Sequence, residues 1–78
     1  MKVQVLGTGC PKCKALAERV ESVVGEMGLD CEVVKVTDIN EIMSFGVMMT
    51  PGLAVDGVVK SAGKLPSADE IRGYLESA

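Results

Sequence analysis

Apolar and polar positions fall in short blocks along the chain, and each block predicts one element. Positions 2–6 (KVQVL) are β-branched and alternating, the pattern of a strand. Gly7-Thr8-Gly9 then reads as a loop. Over positions 11–27 the apolar residues Cys13, Leu16, Ala17, Val20, Val23, Val24 and Met27 recur at helical i, i+3, i+4, i+7 spacing. Lys12, Glu18, Arg19, Glu21 and Glu26 occupy the other faces, and Gly28 is a natural left-handed stop. Positions 31–36 (CEVVKV) predict a second strand, Val-rich and weakly alternating, which suits cover on both faces.

Asp38 reads as a helix N-cap with Glu41 reaching back to it. A short helix through Ile42, Met43 and Phe45 follows and ends at Gly46. Positions 47–50 read as extended, and Pro51 keeps the residue before it extended. Positions 52–61 form the clearest hairpin, because Asp56-Gly57 is the dipeptide that a type I′ turn prefers. Ser67-Ala-Asp-Glu70 is a capping box that opens a last helix with Ile71, Tyr74 and Leu75 on one face. The order is β-α-β-α-β-β-α. The first two strands, joined by a helix, are expected to be parallel with a right-handed crossover. The last two are antiparallel. The expected fold is α/β, a four-stranded mixed sheet with helices on both faces. No repeat, low-complexity segment or linker interrupts it, so residues 1–78 read as a single domain.

Composition narrows the partners. Phe45 and Tyr74 are the only aromatic residues, so the core must be aliphatic. The net charge is -3 and no two basic residues are adjacent, which argues against the concentrated basic surface that nucleic acid requires. No apolar run spans a bilayer, and positions 1–6 are too short for a signal peptide. The expectation is a soluble, cytoplasmic monomer with neither a nucleic-acid nor a membrane partner.

Histidine is absent, which removes His-based catalysis and the commonest metal ligand. The chemistry falls to thiols, carboxylates and lysines. In "LGTGCPKCK" (positions 6–14), Cys10 sits just before the first helical turn and Pro11 suits N1, where no N–H is needed. Free N–H groups and the positive end of the helix dipole then point at the Cys10 sulfur. Lys12 and Lys14 add weak positive potential. The Cys10 thiol is expected to ionise below the free value of about 8.5. Cys13 falls on the buried stripe with Leu16, Ala17 and Val20. The two sulfurs therefore have different tasks: Cys10 attacks a disulfide, and Cys13 resolves the mixed disulfide that forms. A C-x-x-C that follows a strand and opens a helix in a βαβ pattern points strongly to redox chemistry.

Residues 10–13 (CPKC), with Thr50-Pro51 ahead of a Gly/Ala-containing hairpin, resemble the thioredoxin superfamily. The nearer resemblance is to its glutaredoxin-sized small redox-active disulfide proteins, over essentially the whole chain. That resemblance implies a thioredoxin-like fold and a protein-disulfide oxidoreductase without a bound cofactor. Its partners would be protein disulfide substrates and a reductase. It further implies a cis Pro51, with Thr50 offering its backbone to an extended substrate segment and Gly63 lining the same groove. The chain departs from the larger thioredoxins at Gly9, where they carry Trp, and at Pro11-Lys12, where they carry Gly-Pro. They also carry a buried acid on the strand before the motif, where this chain offers Gln4. The segment Ala62-Gly-Lys-Leu-Pro-Ser67 supplies no recognisable glutathione-binding set.

The alternative is a metal-transfer module holding Cu(I) or Zn on the C-x-x-C thiolates, with Met48 and Met49 as thioethers. Such modules run βαββαβ and end on a strand, whereas this chain ends on a capped helix. Thr50-Pro51 has no role in them, and a closed zinc site needs four ligands. Met48 and Met49 are more simply core filling or a pliable groove wall. Cys31 is expected to be a buried, small apolar residue at the start of the second strand.

Overall fold

The computed structural model describes residues 1–76. The elements follow the expected order: β1 (Lys2–Leu6), α1 (Pro11–Met27), β2 (Glu32–Val36), α2 (Ile39–Ser44), β3 (Gly52–Val55), β4 (Val58–Ala62) and α3 (Ala68–Glu76). The four strands form one mixed sheet in the order β2-β1-β3-β4. β1 runs parallel to β2 and antiparallel to β3, and β3 pairs antiparallel with β4.

The period of two along each strand sorts residues to opposite faces. Val3, Val5, Leu53 and Val55 meet Leu16, Val20 and Val23 of α1 and Ile71 and Leu75 of α3. On the other face Leu6, Val36 and Ala54 pack with Ile42 of α2 and with Val47. Helices therefore cover both faces. The hairpin turn has positive φ at both Asp56 and Gly57, as a type I′ turn requires. It is also tied to β1. The Lys2 N–H donates to Asp56 Oδ1 at 2.7 Å, and the Gly57 N–H donates to Gln4 Oε1 at 3.2 Å.

Four local expectations are corrected. β2 is an edge strand, so Val33 and Val34 contribute to opposite cores but are only partly covered. It begins at Glu32, leaving Cys31 just ahead of it, half-buried. Asp38 caps α2 through the Asn40 N–H at 2.8 Å, and no reciprocal bond from Glu41 occurs among the described residues. The run 47–51 bends instead of staying extended: Val47 turns into the core while Met48 and Met49 face solvent. The methionines are therefore not core filling.

Candidate active site

The site is built where β1 gives way to α1, beside the C-terminal end of its parallel neighbour β2. The Gly7 N–H donates to the Val36 carbonyl at 2.9 Å, carrying the sheet pairing one residue past β1. A Cβ at Gly7 would overlap Cys13 Sγ, so only glycine leaves room for that sulfur. Cys10 is the N-cap of α1, with extended backbone, and Pro11 follows it at the start of the helix. The Cys10 Sγ accepts from the Cys13 N–H at 3.3 Å, and the Cys10 carbonyl accepts from the Lys14 N–H at 3.0 Å. The sulfur thus takes the place that a Ser or Asp oxygen takes at other N-caps.

Cys10 and Cys13 are joined as a disulfide with a Cα–Cα separation of 5.0 Å. They differ in cover, as the helical stripe predicts: Cys10 is half-buried, whereas Cys13 is only 5% exposed. Lys12 and Lys14 are exposed and make no ion pair among the described residues. Cys31 lies at the opposite end of the sheet, beyond the Lys2–Glu32 end of the β1–β2 pairing. Five residues of strand, on the order of 16 Å, separate that end from the disulfide. Among the described residues no group of three or more Cys, Asp or Glu side chains is placed to hold a metal ion.

The Thr50-Pro51 bond is cis. Pro51 is fully buried, and its carbonyl accepts from the Gly63 N–H at 2.9 Å, which ties the segment before β3 to the end of β4. Met49 packs where a Gly63 side chain would stand. Thr50 is exposed and shares a concavity of about 220 Å³ with Thr8, Ile39, Met43 and Met48. Thr8, two residues before Cys10 in the chain, is the part of the loop between β1 and α1 that lines this groove. Its rim is apolar and solvated, with Met48 85% and Ile39 61% exposed.

Cys10, Pro11 and Cys13 are thus brought together by one helix end, Thr50 shares a concavity with Thr8 of the preceding loop, and the Pro51 carbonyl is bonded to the Gly63 N–H. Gly7 and Thr8 were not singled out in the sequence, where they are simply loop residues. Gly7 packs against Cys13 and Thr8 lines a concavity with Thr50, neighbours that only the folded chain supplies. No helix among the described residues is long and apolar enough to cross a membrane.

The family model for the thioredoxin domain matches residues 1–76. A thioredoxin of Methanocaldococcus jannaschii is 49% identical over 75 residues, covering 96% of this chain and 86% of that protein. A thioredoxin of Methanothermobacter thermautotrophicus is 40% identical over 75 residues, covering 96% of this chain and 97% of that one. A C-x-x-C disulfide at a helix start, a cis proline before the hairpin and the β-α-β-α-β-β-α order agree with those matches, and the chain belongs to the thioredoxin domain family.

Proposed function

We propose that the protein exchanges its Cys10–Cys13 dithiol with disulfides of protein substrates, by way of a mixed disulfide and without a bound cofactor. The observation that carries this reading is the inequality of the two sulfurs. Cys10 is accessible and sits at the N-terminus of α1, while Cys13 is covered one turn deeper. In the reduced protein, the helix dipole and the first-turn N–H groups favour the Cys10 thiolate, aided by Pro11 at N1 and by the Lys12 ammonium.

The Cys10 thiolate attacks one sulfur of the substrate disulfide. The Cys10–substrate bond forms, and the other substrate sulfur leaves as a thiolate. Cys13 then attacks the Cys10 sulfur. The Cys10–Cys13 bond forms, the Cys10–substrate bond breaks, and the second substrate thiolate departs. The substrate gains two electrons and the dithiol loses two; a reductase restores the dithiol. Thr50 and Pro51, with Gly63 behind them, shape the groove for an extended substrate segment, and the Met48 wall lets that groove adapt to different side chains.

Trapping tests the order of attack. Reduced Cys13→Ser protein, mixed with a disulfide-bonded peptide, is expected to accumulate a mixed disulfide on Cys10 that mass spectrometry detects intact. Cys10→Ser is expected to accumulate none. Equal trapping by both variants would contradict the assignment.

A further inference from the structure

A second concavity, of about 300 Å³, opens on the α1 side of the sheet and reaches Cys13 itself. Val5 and Gly7 line it beside Cys13, and its charged residues are Lys14 and Glu18 from α1 and Lys35 from β2. Lys35 pairs with Val5 in the parallel register, which puts both on the α1 face. This inference rests on the reading of Cys13 as the resolving thiol.

Resolution requires Cys13 to lose its proton, and burial opposes the charged form of a thiol. An acceptor is therefore needed within reach of a covered sulfur. Histidine is absent from the chain. Gln4 is on the face opposite Val5, and its side-chain oxygen is held by the Gly57 N–H at 3.2 Å. Lysine ammonium groups cannot accept a proton near neutral pH. Among the residues lining the cavity, that leaves the Glu18 carboxylate. Glu18 makes no ion pair among the described residues. Lys14 and Lys35 share the cavity with it, Glu21 lies three residues further along α1, and none of these makes an ion pair among the described residues. Arg19 and Glu26, on its other side, are engaged elsewhere, Arg19 donating to the Pro66 carbonyl at 2.9 Å and Glu26 pairing with Arg72 at 3.2 Å.

We propose that this cavity is the proton exit for Cys13 and that Glu18 is the acceptor. The cavity is roomy enough for water to bridge the sulfur to the carboxylate. The Cys13 S–H bond breaks, and its proton passes through that water to a Glu18 oxygen. The sulfur electron pair forms the Cys10–Cys13 bond as the Cys10–substrate bond breaks, and Glu18 afterwards gives the proton to solvent. Lys14 and Lys35 favour the transient thiolate. The cavity shares no lining residue with the groove beside Thr50.

Dithiodipyridine, a neutral disulfide that releases a chromogenic thiopyridone, separates the steps under stopped flow when every protein compared, including the one with Glu18 intact, carries Cys31→Ser, which removes the third thiol. The first release reports attack by Cys10 and the second reports resolution by Cys13. Glu18→Gln is expected to leave the first phase within about twofold and to slow the second about tenfold or more at neutral pH. The deficit should shrink as pH rises and hydroxide replaces the carboxylate, and Glu18→Asp should recover part of the rate. A second phase in E18Q at the rate seen with Glu18 intact, with the same pH profile, would overturn the Glu18 assignment alone. Absence of two-phase release in the protein with Glu18 intact would overturn the resolving role of Cys13, and this inference with it.

Discussion

Single positions set the difference between the two sulfurs. Cys10 takes its character from being the N-cap of α1, and Cys13 takes its cover from a helical stripe packed on a glycine. Both cysteines and Pro11 were legible in the sequence, because capping and helical periodicity are local. Gly7 was not, because its requirement is the space a sulfur from α1 occupies. Gly7→Ala puts a Cβ into that sulfur and is expected to destabilise the oxidised protein by about 1–3 kcal/mol. Denaturant unfolding measures it, and an unchanged midpoint would mean that the helix start yields without cost.

The elements were read from signals of differing reach. The capping box at α3 is formed in both directions: the Glu70 N–H donates to Ser67 Oγ and the Ser67 N–H donates to a Glu70 oxygen, both at 3.2 Å. Ser67→Ala is expected to cost about 1 kcal/mol in thermal or denaturant unfolding. Glu70 also accepts from Lys64 at 3.0 Å, and chiefly this bond holds the Glu70 carboxyl below its usual range and raises Lys64 above its own. Because the folded Glu70 is the stronger acid, its contribution is present above the ordinary carboxylate pKa and is lost as pH falls through the lowered one. The Lys64 contribution is present below the ordinary lysine pKa and is lost as pH rises through the raised one. Glu70→Gln should therefore flatten both limbs of a plot of melting temperature against pH. An unchanged acid limb would show that this exposed pair is screened out. Capping boxes, hairpin turns and helix stripes are local, so α1, α3 and the β3–β4 turn were legible. The edge position of β2 was not, because a Val-rich strand reads alike whether a neighbour covers it or water does. The bend at 47–51 escaped for a related reason: it follows from Val47 entering the core beside Leu6 while Thr50-Pro51 is held at the end of β4.

The molecule as a whole joins two apolar cores through one sheet, and its chemistry sits at one end of that sheet. β3 lies centrally and is buried along its length. Leu53→Ala removes a fully buried side chain from the α1–α3 core and is expected to cost about 2–5 kcal/mol. In thermal unfolding its loss should lower the single transition as a whole; a second transition would show that the two cores unfold apart. The fold was legible in the sequence at this scale because element order and turn chemistry leave few topologies open. The cavity carrying Glu18 and Lys35 was not, because it exists only between α1 and β2 once the parallel crossover is made. The central claim is that Cys10 and Cys13 act as one two-electron couple. Titration against a dithiol redox buffer, with free thiols labelled and counted by mass spectrometry, tests it most directly. Both thiols should appear together, following a two-electron curve of about 30 mV per tenfold change in ratio, with Cys31 labelled throughout. Cys10 and Cys13 titrating independently, with singly labelled intermediates accumulating, would contradict the account.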